Sequence, residues 1–267
     1  MQEFISVGQR RPQRLLLTLL LGAALVAGPA LAAEGIDPDV DQTLKSMSDF
    51  LAANKSFSVK ADIDFEVVAN AGQKLQLSSS AALTVARPVG LYMERSGIFA
   101  DVQMYFDGKS LTAYNKRNNA YAQLAVAGSN DDAILAYEFE AGIPAPGADL
   151  LFSNPYAVLS GGVDSARYIG TTRIDGIECY HLAFREDNVD WQIWVQTGES
   201  PLPMKYVITS TWDAFAPQYE IRFHDWNLKP KIARDQFDFK PPKDATKVDL
   251  STFGDSGETG AAKESAP

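Results

Sequence analysis

The chain has 267 residues and a formal net charge of −10, with 46% apolar and 22% charged side chains. That apolar content excludes global disorder, and a sequence pI of about 4.7 excludes the positive footprint that a nucleic-acid binder needs. The single cysteine, Cys179, excludes an intramolecular disulfide and any multi-cysteine metal site, and two histidines, His181 and His224, leave little for imidazole-based metal chemistry.

Arg10, Arg11 and Arg14 precede an apolar run from Leu15 to Val26, which is broken by Gly28-Pro29 and closes on Ala30-Leu31-Ala32. A basic start, a short apolar stretch and small residues at a cleavage point predict a secretory signal peptide over residues 1–32. The run is too short for a membrane span, which takes roughly 20 residues. No Cys follows it to carry a lipid anchor, and Pro12 argues against a twin-arginine signal. Cleavage would remove three Arg and one Glu and take the net charge from −10 to −12. An acidic surface of that kind is repelled by anionic head groups, so the expectation is a periplasmic protein with no stable membrane span after cleavage. A lone thiol in an oxidising compartment is safest buried, and Cys179 lies in an apolar-flanked run.

One helix reads clearly, from Val40, Leu44, Met47 and Leu51, with Asp37-Pro38 as its start. The period then changes to two. Phe57, Val59, Ala61, Ile63, Phe65 and Val67 predict one long strand, Asn70 to Gly72 a turn, and Leu75, Leu77, Ser79, Ala81, Leu83 and Val85 a second strand running back. Val102, Met104 and Phe106 lead into Asp107-Gly108, a hairpin signal, with Leu111 to Tyr114 returning. Asn118-Asn119 turns into Tyr121 and Gln123. Asp131-Asp132 opens a short helix over Ala133 to Glu140, residues 141–147 read as loop, and Leu150 to Phe152 with Asn154 to Leu159 read as a short helical pair. Strands resume over Arg167 to Arg173 and Ile177 to Phe184, joined by Asp175-Gly176. Trp191 to Val195, Tyr206 to Thr211 and Tyr219 to Phe223 follow, and Phe237 and Phe239 close the ordered part. Roughly ten or eleven strands with segregated helices predict an α+β domain over residues 33–250. Residues 251–267, rich in Ser, Gly, Ala and acids, predict a disordered tail.

The strings Phe106 to Tyr114, Asn154-Pro155-Tyr156, Val189 to Val195 and Pro201 to Thr209 resemble a family of predicted periplasmic proteins of unknown function, over most of residues 40–248. That family is distantly similar to the LolA/LolB-type periplasmic lipoprotein carriers. The shared layout is a signal peptide, an N-terminal helix, two long meander strands and an aromatic-x-aromatic strand before a proline, here Phe237-Asp238-Phe239-Lys240-Pro241. The resemblance implies a strongly curved, incompletely closed antiparallel β-barrel with helices on its concave side and an apolar cavity that takes acyl chains. The same architecture also serves envelope-stress sensors.

No nucleophile elbow and no metal-ligand spacing stands in the sequence. Cys179 and His181, two apart on a strand, are held roughly 6–7 Å apart, too far for a thiolate–imidazole pair. His181 is therefore expected to be a hydrogen-bonded structural residue, with Asp190 available to orient it. Asp62 and Asp64 belong to a solvated face, and Asp131-Asp132 answer the helix dipole. The informative feature is the apolar face. Phe57, Ile63, Phe65, Leu75, Leu77, Leu83, Met93, Val102, Met104 and Phe106 are candidates to line a cavity, continued by Trp191, Ile193, Val195, Val207 and Ile221. The expectation is an exported, non-enzymatic binding or carrier protein for a lipid or lipoprotein acyl chain, without cofactor or metal. The alternative is an envelope sensor or scaffold with a filled core and a protein partner.

Overall fold

A computed structural model of the chain describes residues 35–249, apart from 70, 71, 99, 141 and 143. The signal peptide and the C-terminal tail expected from sequence lie outside the described residues.

Helix α1, Pro38–Ala53, is capped by Asp37, whose side chain accepts from the Asp39 amide, and has Pro38 in its first turn. Val40, Leu44, Met47 and Leu51 form its buried stripe, as the spacing predicts. Strands β1 (Ser56–Val68) and β2 (Lys74–Ala86) pair along their whole length. β3 (Leu91–Gly97) comes next. It escapes a reading based on apolar alternation because Arg95 occupies a position in phase with Leu91 and Met93. β4 (Asp101–Phe106), β5 (Ser110–Asn115) and β6 (Ala120–Ala125) complete the first meander.

A connector then crosses the sheet. It contains α2 (Asn130–Leu135), a π-helical turn (Ala136–Glu140), a 3-10 turn (Ala148–Leu151) and α3 (Pro155–Leu159). The cap of α2 is Ser129, which forms a capping box with Asp132, and Asp131 accepts instead from the Ser153 amide and hydroxyl.

The second meander is β7 (Ser165–Ile174), β8 (Ile177–Arg185), β9 (Val189–Gln196), β10 (Pro203–Ser210) and β11 (Gln218–Asn227). Asp175 and Gly176 both have positive φ, as the tightest hairpin turn requires. β11 pairs antiparallel with β1, which welds the two meanders into one sheet. The two-residue β12 (Thr246–Lys247) adds parallel to β6, so the order is β12-β6-β5-β4-β3-β2-β1-β11-β10-β9-β8-β7. β12 and β7 are not paired with each other, so the barrel is incompletely closed. The architecture is the expected α+β one, with eleven long strands and one short one.

The expected strand at Phe237–Phe239 is corrected. These residues lie in a turn and an irregular strap with Pro230, Pro241 and Pro242, which lack the N–H a ladder needs. Side-chain packing holds the strap in place of backbone pairing. Phe239 sits among Tyr105, Tyr114 and Tyr121 at ring-centroid distances of 5.4, 5.7 and 5.1 Å, on the face opposite Met104 and Ala113. Phe237 lies so close to Gly90 that a Cβ there would meet its ring at 2.6 Å.

Candidate ligand cavity

Period-two alternation gives β1, β2, β4, β5 and β8–β11 a largely apolar inner face, but the two halves of the sheet are covered differently. Over β8–β10 the inner residues Leu182, Phe184, Trp191, Ile193, Val195, Met204 and Tyr206 are packed under the stripe of α1 and Leu159 of α3. Phe184 and Trp191 stack at 3.8 Å, Tyr206 meets Trp191 edge-on at 5.8 Å, and Ile193 and Val195 have no exposed surface. This half is filled.

Over β1–β5 and β11 the cover is the connector, and it stands off. Between them lies a cavity of about 340 Å³, in the range of roughly 300–1,000 Å³ typical of small-molecule sites. Its floor is apolar, from β1 (Phe57, Val59, Ile63), β2 (Ala81, Leu83), β3 (Leu91, Met93), β4 (Val102, Met104) and β11 (Ile221, Phe223). Its roof is Ala133, Ile134 and Tyr137, followed by Pro144 to Ala148 and Leu150-Leu151. Gly147 belongs at its place in the roof for two reasons: its φ is +86°, and a Cβ there would meet Ile221 at 2.5 Å.

The side chains of Asn130 and Arg87 tie the roof to the sheet. The buried Asn130 side chain accepts from the Gly90 amide at 2.9 Å and donates to the Ala86 carbonyl at 3.0 Å. Arg87 donates to the Leu151 carbonyl at 2.7 Å and lies over Phe57, and its burial pushes the guanidinium pKa down. A third polar feature lies under the connector. Burial pushes the Asp149 carboxyl above the usual range, the Tyr206 hydroxyl beside it is pushed well up by its own burial, and Glu138 and Glu186 rise for the same first reason.

Of the residues singled out from sequence, Phe57, Ile63, Leu83, Met93, Val102, Met104 and Ile221 line the cavity. The others do not. Phe65 is on the inner face but packed in the main core against Tyr219. Leu75 is exposed and Leu77 half-buried, because β2 runs past the end of β3 there and no described strand pairs with that stretch on its β3 side. Phe106 is sealed below the cavity with Leu111 and Val126. Trp191, Ile193 and Val195 belong to the filled half. Val207 points to the other face, in register with Gln192 and Glu220, while Tyr206 takes the inner position. The unbroken apolar run Tyr206-Val207-Ile208 carries no phase information of its own.

His181 is hydrogen-bonded and packed on a ring. Its ring nitrogen bonds to Gln192 at 2.9 Å and its ring stacks on Trp194 at 4.0 Å. Asp190 is engaged with Arg185 instead of orienting it. The Cys179 thiol is buried and donates to the Ile177 carbonyl, and its pKa is raised by burial. Asp62 and Asp64 lie on the outer face.

Sequence reasoning missed Arg95. It lines the cavity, its Nε donates to Ser79 at 2.8 Å, and its guanidinium lies 5.5 Å from the Phe65 ring and 5.7 Å from the Tyr219 ring. The signal was present, as a lone charge in the apolar phase of a strand.

With the cavity described, comparison with known proteins places the chain. The model of a family described as predicted periplasmic protein (DUF2092) matches residues 40–251. The chain belongs to this family. Membership in DUF2092 agrees with the periplasmic location expected from sequence, and no helix among the described residues is long and apolar enough to cross a membrane. No curated protein matches the sequence. Solved structures similar to this DUF2092 chain include the lipoprotein LppX of Mycobacterium tuberculosis, at 12% identity and a TM-score of 0.42, covering 73% of this chain and 98% of that one. A LolA superfamily protein of Nitrosomonas europaea is similar at 10% identity and a TM-score of 0.38, covering 74% and 96%. The MucA/MucB complex of Pseudomonas aeruginosa is similar at 14% identity and a TM-score of 0.41, covering 76% and 61%.

Proposed function

We propose that this protein is a non-catalytic binding or carrier module that takes the acyl chain of a lipid or lipoprotein into the cavity between β1–β5, β11 and the connector. The observation that supports it most is the cavity itself, a contiguous space of about 340 Å³ with an apolar floor inside a fold whose other half is tightly packed. Each methylene moved from water into such a space gains about 0.8 kcal/mol, so chain length drives affinity. The methionines Met93 and Met104 give the floor an adaptable surface.

Native mass spectrometry of the protein purified from its own periplasm tests the reading. Co-purifying acyl species, or saturable uptake of a fluorescent fatty acid, are the expected results. A protein that is always empty and takes up no acyl probe would sink it. Crosslinking in cells separates it from the sensor alternative, for which one protein partner would be recovered whether or not lipid is bound. Turnover of a bound acyl compound would overturn the non-catalytic part.

A further inference from the structure

Part of the sheet's rim projects beyond its neighbours. β1 and β2 stay paired past the last β2–β3 pairing, Ser79 with Gly97, so Leu75 lies four residues further on, about 13 Å at the usual strand rise. β10 and β11 rise beside them, since Phe65 of β1 pairs with Tyr219 at that end of β11, and Tyr219 with Ile208 of β10. The connection between β10 and β11, residues 211–217, packs on the turn after β1. The Phe215 ring lies so close to Gly72 that a Cβ there would meet it at 3.2 Å. The two hairpin ends form one projection.

Its tip is apolar and open to solvent. Trp212 is 70% exposed, Phe215 49% and Leu75 38%. The Trp212 N–H donates to none of the described residues. Asp213, the one charged residue of 211–217, is used inside the turn, where it accepts from the Phe215 amide at 2.9 Å. Lys74, next to Leu75, is paired with Glu66 at 2.7 Å. Tyr219, four residues after Phe215, lines the cavity, so the projection continues one of the cavity's walls.

Size and charge decide what covers such a tip. An aromatic side chain carries roughly 150–250 Å² of surface. The exposed parts of Trp212, Phe215 and Leu75 come to on the order of 300 Å², well short of the roughly 800 Å² per partner in a stable protein interface. A convex tip of that size fits a surface that yields around it. A bilayer interface does so, with the indole at head-group level, its apolar body toward the chains and its N–H toward water. Residues 211–217 carry no cation to attract anionic head groups, and the chain's net charge of −10 is repelled by them. We propose that the tip at Trp212 and Phe215 is a reversible docking site for a zwitterionic phospholipid bilayer, with both rings in the interface and Leu75 beside them. This goes beyond the acyl-binding reading and does not depend on what the cavity holds.

The test is co-sedimentation of the protein, purified from its own periplasm, with phosphatidylcholine vesicles, together with tryptophan quenching by brominated phosphatidylcholine. The expected results are saturable binding and quenching of Trp212. Trp212→Phe should lose the quenching and keep most of the binding, since one ring replaces another. Trp212→Ser should weaken vesicle partition about tenfold, the scale of burying most of one aromatic side chain. Ile169→Ser removes a residue that is 47% exposed on β7, away from the tip, and should leave partition within about twofold. Replacing part of the phosphatidylcholine by phosphatidylglycerol should not strengthen binding. The wild-type quenching decides the matter even if a variant folds poorly. No binding to phosphatidylcholine vesicles overturns the proposal, as does binding that needs phosphatidylglycerol or is lost equally in Ile169→Ser. Self-association that Trp212→Ser abolishes, without vesicle binding, would assign the tip to a second copy of the chain and overturn it too. Acyl uptake without vesicle binding would leave the cavity reading standing while the docking site fails.

Discussion

The two halves of the sheet start from the same chemistry and end differently. β8–β10 present alternating apolar residues to α1, a regular helix whose stripe interdigitates with them until Ile193 and Val195 are fully buried. β1–β5 present an equally apolar face to a connector made of one turn and a half of α-helix, a π turn, a Pro/Gly/Ala-rich loop and a 3-10 turn. A regular helix offers side chains at a spacing that fills a sheet's grooves. An irregular cover with small residues at Ala145, Gly147 and Ala148 cannot reach into them, and space is left. The lesson is that a cavity can be made by the layer that covers a sheet, with no change in the sheet's own pattern.

This contrast can be broken experimentally. The largest effect is expected in the filled half, where Ile193→Ala should cost about 2–5 kcal/mol of unfolding free energy, because removed atoms leave a void that neighbours cannot close. Met104→Ala, in the floor of the hollow half, should cost less than that because its side chain already borders empty space. Chemical denaturation of both variants checks the difference, and equal losses would mean that the halves are packed alike. Met104→Trp sharpens the comparison from the other side. It should abolish uptake of an acyl probe while leaving the denaturation midpoint near wild type, since the added volume enters the cavity.

A smaller effect is expected at the anchor of the roof. Asn130→Ala removes the acceptor of the Gly90 amide and the donor to Ala86, so about 1–3 kcal/mol should be lost. Hydrogen exchange should rise in residues 130–135 more than in α1. Uniform loosening would argue against a separately anchored cover.

The smallest effect concerns pH. Burial raises the Asp149 carboxyl pKa in the folded protein, so the folded state holds its proton more tightly than the unfolded state. The stability tied to that proton is complete below the unfolded value of about 3.8 and is lost as pH rises through the raised folded value. Asp149→Asn should therefore raise the thermal midpoint at neutral pH, and the gain should shrink toward pH 4 as the wild-type carboxyl protonates. A gain independent of pH would mean that Asp149 is not the group responsible.

Much of this was legible in the residues. The stripe Val40, Leu44, Met47 and Leu51 gave α1, and the alternation from Phe57 to Val85 gave the two longest strands in register. Phe57, Ile63 and Leu83 from that alternation, and Met93, Val102, Met104 and Ile221 from later in the chain, lie along the cavity. What misled was local. Arg95 hid β3 by interrupting its apolar phase, the run Tyr206-Val207-Ile208 has no alternation to read, and Phe237 and Phe239 have the spacing of a strand although prolines beside them deny it a ladder.

The sequence by itself determined the order of most elements, the apolar faces of α1, β1 and β2 and membership in a family of predicted periplasmic proteins. Those depend on neighbours along the chain, through side-chain period, turn residues and caps. Only the tertiary structure decided that β11 closes on β1, that Phe239 is spent on the outer face, and which half of one apolar surface is filled. Alternation fixes which way a side chain points. Whether it meets another side chain or open space depends on a layer supplied from elsewhere in the chain, and no local pattern encodes that distance.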